Sequence, residues 1–134
     1  MSNDIVSQLV QQIDFLQGIA NDGVFIGDPI DTESLSGIAF SFVVGVYSDG
    51  VYALTFDESD TGSRDWTPVP VEKMIGLAVI DADNAGSGFP QKTGLFSTKR
   101  YVRIVVTATE VTDGVGIMVV VSIKQPKITP EAPQ

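Results

Sequence analysis

The sequence predicts an all-β protein, an antiparallel β-sandwich of jelly-roll or immunoglobulin-like type with extended arms at both ends. Three observations predict it. Several short runs alternate apolar and polar residues with period two, as half-buried strands do. They recur at roughly 10-residue spacing and are separated by Gly/Asp turns, the pattern of a sandwich or barrel. The chain of 134 residues is 43% hydrophobic, enough for one cooperative core. The boundaries that follow are an N-terminal arm over 1–20, a sandwich over 21–124 and a Pro-rich tail over 125–134.

In chain order, the arm is ambiguous. Ile5, Leu9, Ile13 and Leu16 lie at helical spacing behind Asn3, a residue suited to an N-cap. Leu9, Ile13 and Phe15 also fit a strand, so over 4–17 both readings stand. Phe40, Phe42, Val44 and Val46 alternate onto one strand face. Asp49-Gly50 then signals a hairpin, and Tyr52, Leu54 and Phe56 mark the return strand Val51–Glu58. A polar turn spans 57–63. Pro68 and Pro70 confine the segment after Trp66 to an edge, since proline donates no ladder hydrogen bond.

Val71–Gly76 reads as one helical turn, Leu77–Ile80 as a short strand and Asp81–Gly88 as a loop. Lys99–Thr109 is the clearest strand. Val102, Ile104, Val106 and Ala108 face the core, and Tyr101, Arg103, Val105 and Thr107 face away. Asp113-Gly114 makes the next turn. Val115–Ile123 follows, with Val115, Ile117, Val119, Val121 and Ile123 on one face; Met118 and Val120 make its second face apolar too. Such a strand is central or covered by a neighbouring subunit. The tail carries Pro126, Pro130 and Pro133 and reads as extended.

Charge excludes some partners. The net charge of −9 disfavours nucleic acid and anionic membranes. Residues 1–63 hold ten acids and no base, whereas residues 64–134 hold eight bases and seven acids. Either the halves mix in space and even out, or a basic patch meets an acidic face of another subunit. No apolar run approaches the roughly 20 residues of a membrane-spanning helix. Met1-Ser2-Asn3-Asp4 carries no basic side chain, so the start does not read as a secretory leader.

Chemistry is sparse. The chain has no His and no Cys, which removes Ser-His-Asp arrangements, thiolate catalysis and the usual zinc ligands. No Gly-rich phosphate loop occurs. Asp57, Glu58 and Asp60 cluster without the spacing of an EF-hand, and a solvated hairpin tip explains them better than calcium. Asp57 and Glu58 point to opposite strand faces, so they are no acid/base pair. No catalytic residue, metal or cofactor is expected. Trp66 reads as a core or subcore anchor rather than a stacking platform. The candidate interface residues are Ile13, Phe15 and Leu16 on the arm, Tyr101 and Arg103 on one strand face, and Met118 and Val120 on the last strand.

Three ordered segments carry a resemblance. They are Thr55-Phe56-Asp57-Glu58-Ser59-Asp60 with Trp66-Thr67-Pro68-Val69-Pro70, then Leu95–Thr107 containing Lys99-Arg100-Tyr101-Val102-Arg103, then the apolar strand near the C-terminus. Together they resemble small proteins of tailed bacteriophages found with head-assembly proteins. The resemblance covers roughly residues 37–127. The chain departs from that pattern where Thr61 separates Asp60 from Gly62, and where Lys124-Gln125-Pro126-Lys127 replaces a Gly-x-Pro-Arg ending.

The resemblance implies a virion protein, a non-enzymatic head decoration or cement protein. Its implied partners are the major capsid protein and its own copies, as a dimer or trimer. Its implied place is the capsid exterior, after synthesis in the host cytoplasm. Two other functions fit a sandwich: a carbohydrate- or receptor-binding module, which needs Trp66 or Tyr101 open beside polar groups, and a tail or neck component. The Glu58-to-Trp66 stretch is also similar to discoidin-like sandwiches, where such a turn is structural.

Overall fold

A computed structural model describes residues 10–76, 78–85, 91–96 and 99–126. Its strands are β1 (Val10–Ile19), β2 (Gly23–Ile26), β3 (Ile30–Asp31), β4 (Leu35–Tyr47), β5 (Val51–Ser59), β6 (Thr67–Pro68), β7 (Met74–Ile75), β8 (Ala78–Ile80), β9 (Gln91–Leu95), β10 (Tyr101–Thr109) and β11 (Val115–Pro126). The first sheet runs β1-β11-β4-β9-β7; the second runs β2-β10-β5-β6, with β3 also on β10 and β8 also on β5. Every pairing is antiparallel. The protein is an antiparallel β-sandwich, as its alternating pattern predicts. No helix among the described residues is long and apolar enough to cross a membrane.

The core lies between the sheets. β4 contributes Phe40 and Phe42, β5 Tyr52, Leu54 and Phe56, and β10 Val102, Ile104, Val106 and Ala108, all buried. Each large apolar side chain so buried contributes about 1.5–3 kcal/mol. Three aromatic pairs tie one sheet to the other: Phe40 with Phe56 at 4.6 Å between ring centroids, Phe15 with Phe25 at 6.4 Å, and Tyr47 with Tyr52 at 6.4 Å. The last two are edge-to-face, a favoured geometry for aromatic rings.

Several expectations are corrected. Asp49-Gly50 does not close a hairpin: β4 and β5 belong to different sheets, so the turn is an arch across the sandwich. Asp113-Gly114 arches likewise from β10 to β11. Val46 does not continue the inward face of β4. Its φ of 55° breaks the alternation and leaves it exposed. Residues 10–19 take the strand alternative, since β1 pairs with β11 from Val10↔Lys124 to Ile19↔Val115. Gln125 and Pro126 likewise belong to β11 rather than to a tail.

The helical turn expected over Val71–Gly76 is one 3-10 turn, Val71–Lys73, followed by β7. The parts of the ambiguous arm before Val10, of the 81–88 loop after Ala85 and of the tail after Pro126 lie outside the described residues.

β11 has the inverse polarity of its obvious pattern. Met118, Val120 and Ser122 point inward and are fully buried. Val119, Val121 and Ile123 form the outer face, half-buried, with Ile117 more exposed. Met118 and Val120 are therefore core residues and offer no contact surface. Phe15 is also core, because a bulge between Ile13 and Phe15 shifts the register and turns its ring toward Phe25.

Candidate functional site

The two outer faces and the two ends of the sandwich differ in chemistry. At one end lie the loops 20–22, 48–50, 81–85 and 110–114, brought together by the pairings Thr109↔Val51, Tyr52↔Ile80 and Val115↔Tyr47. They carry Asp22, Asp49, Asp81, Asp83, Glu110 and Asp113 and no basic side chain. Tyr47, Asp49, Asp81, Asp83 and Glu110 surround a shallow hollow of about 320 Å³. Burial, then the nearby carboxylates led by Asp81, push the Tyr47 hydroxyl above its usual pKa. Among the described residues no three acidic side chains sit closely enough to hold a metal ion.

At the opposite end acids from the first half of the chain meet bases from the second. Arg100 grips Asp31 with two hydrogen bonds, at 3.1 and 2.8 Å, and reaches Glu33 at 2.8 Å. These bonds and the Glu33 backbone N–H hold the Asp31 carboxyl down to about 2. Arg103 pairs with Asp57 at 3.1 Å, Lys99 with Asp60 at 3.9 Å and Lys73 with the buried Glu58 at 3.6 Å. Among the described residues the halves thus mix and even out at this end. The Asp57, Glu58 and Asp60 cluster is divided among three different cations.

The outer face of the second sheet carries Tyr101 and Arg103. Both are half-buried and locally engaged. The Arg103 guanidinium lies 4.3 Å from the centre of the half-buried Trp66 ring, a cation–π stack, while also holding Asp57. The Arg100 guanidinium stands 5.0 Å from the Tyr101 ring centre. A side chain at Gly62 would come within 2.9 Å of that same ring, so the chain itself packs there. Each aromatic ring is thus already in contact with an arginine, and both rings are half-buried.

The outer face of the first sheet is different. Ile13 and Leu16 of β1 are 59% and 57% exposed, beside Val121 and Val119 of β11. Register carries the face across to Val43, Ser41 and Ala39 of β4, Gly94 of β9 and Ile75 of β7. Ile75 and Phe96 are 59% and 63% exposed at its far side. Gly37, Ala39 and Gly94 floor a groove of about 310 Å³ rimmed by Ile75, Phe96 and Ile123. Among the described residues, Lys92 is the one charged side chain that strand register places on this face. A sheet face this rich in exposed apolar side chains is uncommon on an unpartnered protein.

Of the sequence candidates, Ile13 and Leu16 lie together on this face. Tyr101 and Arg103 lie on the opposite sheet, and Phe15, Met118 and Val120 lie inside. The other members of the face, Val119, Val121, Ile123, Ile75 and Phe96, are not among those candidates. The even spacing of Val119, Val121 and Ile123 is visible in the sequence, but it reads equally well as core.

No protein-family model and no curated protein sequence matches the chain. Among solved structures it is similar to the PBSX exported protein XepA, with a TM-score of 0.64 at 15% identity over 93% of this chain. The chain spans 40% of the length of that protein. The CBM22-1–GH10 modules of Clostridium thermocellum xylanase 10B, solved with xylohexaose, give a TM-score of 0.40 at 10% identity over 95% of this chain and 28% of theirs. A family 6 carbohydrate-binding module gives 0.41 at 16% identity over 90% of this chain and 84% of its own. The first likeness shows a shared sandwich fold; the other two carry no argument.

Proposed function

We propose that this protein is a non-enzymatic structural component of a tailed-phage particle, a head decoration or cement protein that binds the assembled shell. The observation that carries the reading is the largely apolar outer face of the first sheet, on which register places, among the described residues, the single charge of Lys92, in a chain of net charge −9. A protein that works by assembly needs a rigid frame and one such face, not a reaction centre. The resemblance of the segments around Trp66 and Arg103 to phage head-associated proteins supports the address, and the fold likeness to the PBSX exported protein agrees with a phage-related origin. A carbohydrate-binding role is disfavoured, because Arg103 and Arg100 already stack on Trp66 and Tyr101.

The test is location and effect. Purified heads, purified tails and particle-free medium are probed for the protein, and heads lacking it are heated with and without added protein. Presence in heads, with disruption shifted to higher temperature on addition, is the expected result, since a ligand of the assembled state stabilises it by mass action. Recovery only with tails, or only in the medium, overturns the head assignment.

A further inference from the structure

We propose that residues 10–17 form a releasable strap, hinged at Gly18 and latched at Asp14, which leaves β11 ahead of the rest of the sandwich while the Asp14 carboxyl is ionised and closes when that carboxyl takes up a proton. The device is built into the fold and does not depend on where the protein resides. Three features carry it.

The first is how little holds β1 in place. It is a border strand, paired on one side only, with β11. From Gln12 to Ile19 only Phe15 and Ile19 are buried. Its ladder slips between Ile13 and Phe15 and again between Gln17 and Ile19. Each slip interrupts the pairing and leaves the strand in short stretches. Elements with few buried apolar contacts open before the whole molecule does.

The second is where the hold lies. The C-terminal end of β1 is pinned: the Ile19 carbonyl sits so close to Gly114 that a Cβ there would stand 1.8 Å from it. Just beyond, the Asp22 carboxylate accepts the Val111 N–H at 2.8 Å. Before that pin the one core anchor is Phe15, edge-on to Phe25 at 6.4 Å between ring centroids. Gly18 lies between anchor and pin, where a Cβ would come within 2.9 Å of the Gly116 carbonyl oxygen. A residue without a side chain both fits that close approach and supplies the hinge.

The third is the latch. Asp14 occupies the first slip, and its Oδ2 is enclosed without a hydrogen-bond partner. Ser122 and Lys124 face it from β11, and Asp28 from the loop after β2. Gly27, packed against the Asp14 backbone, brings no charge. Ser122 hydrogen-bonds the carboxyl, but the Lys124 ammonium is engaged by the Gln12 side chain and Asp28 adds a like charge. An ionised carboxylate so enclosed has lost water that the protein replaces only in part. Peeling the strap away returns it to solvent. Burial accordingly lifts the carboxyl above its ordinary pKa, outweighing Ser122 and Lys124. A group whose pKa is higher in the closed form favours closure below its open-form value, about 3.9, and forfeits that as pH rises through the closed-form value.

Hydrogen exchange of the full chain, followed by NMR and corrected for the intrinsic rate at each pH, is the test. At pH 7 the ladder amides of residues 10–17 are expected to be at least about 10-fold less protected than those of Val102–Ala108 in β10. Asp14→Asn is expected to raise β1 protection roughly fivefold at pH 7 and to remove most of its dependence on pH. In the wild type, a shift from pH 7 to pH 4 is expected to raise it in the same direction with no substitution at all. Asp28→Asn, at an exposed position, is expected to act in that direction by a smaller factor.

Early exchange in β1 that both acid and Asp14→Asn slow is the result that supports the strap. Amides in β1 as protected as those in β10 overturn it, because β1 then opens only with the whole molecule. Early exchange that Asp14→Asn leaves unchanged overturns the latch, whether or not acid slows it.

Discussion

The Asp49 carboxylate accepts the backbone N–H of Gly114 at 2.9 Å, and so fastens together the two arches that carry the chain between the sheets. The same carboxylate takes the N–H groups of Thr112 at 2.9 Å and Asp113 at 3.0 Å. In return Ser48 donates its N–H to the Gly114 carbonyl at 2.8 Å. One side chain thus satisfies three amides of a loop 63 to 65 residues away.

Those amides, Gly114 foremost, hold the Asp49 carboxyl below its ordinary pKa. A depressed carboxylate contributes stability that is present above the unfolded value, about 3.9, and is lost as pH falls through the folded value. Asp49→Ala is therefore expected to lower the melting temperature at pH 7, with the gap to wild type closing as both are taken to strongly acid solution. Melting curves across that range check it. A gap independent of pH sinks the electrostatic account.

Gly114 itself tolerates no side chain. Its φ is 81°, and a Cβ there would stand 1.8 Å from the carbonyl oxygen of Ile19. Gly114→Ala is expected to cost at least about 3 kcal/mol, combining backbone strain with a clash against fixed main chain. Gly37→Ala is the control: a methyl added there would meet nothing closer than 4.0 Å, and a change within about 0.5 kcal/mol is expected by denaturant titration.

Asp14 occupies the bulge in β1, and its Oδ2 is buried with no hydrogen-bond partner. Burial raises its pKa despite hydrogen bonding to Ser122 and the nearby Lys124. A raised carboxyl contributes stability below the unfolded value and forfeits it as pH rises through the folded one. Asp14→Asn is thus expected to be more stable than wild type at pH 7, by about 1 kcal/mol, with the advantage disappearing in acid. Paired unfolding curves at neutral and acid pH decide it.

Arg103 links Trp66 to Asp57. Arg103→Leu is expected to cost about 1–2 kcal/mol, from one ion pair and one cation–π contact, both partly shielded from water. It should also make the Trp66 fluorescence, the only indole signal in the chain, more accessible to acrylamide. Unchanged quenching would falsify the shielding of the ring.

Alternation made β5 and β10 legible, because their core faces are unbroken: Tyr52, Leu54 and Phe56 on one, Val102 through Ala108 on the other. It failed for β9, whose core face is only Thr93 and Leu95 within Gln91-Lys92-Thr93-Gly94-Leu95. β2 and β3, four and two residues long, are too short to show a period. Asp-Gly marks a reversal, but the same local chemistry serves a hairpin and an arch. Which sheet the next strand joins is decided by distant partners, as Asp49 and Gly114 show.

The apolar outer face of the first sheet was half legible for a related reason. β11 is apolar on both sides, so period two cannot say which side is in. The deciding residues are elsewhere: Phe15 and Phe42 beside the inward Val120, and Ile13 and Ser41 beside the outward Val121. Ser122, polar yet fully buried, points pattern reading the wrong way.

The irregular β1 has a consequence for edge-to-edge pairing of the sheet. Its register slips twice, between Ile13 and Phe15 and between Gln17 and Ile19, and the opposite border of that sheet is the two-residue β7. Neither border offers a straight ladder for an incoming strand. A sheet that accepted strands at its borders would add chain after chain into a fibre. A sheet bordered as this one is does not extend in that way.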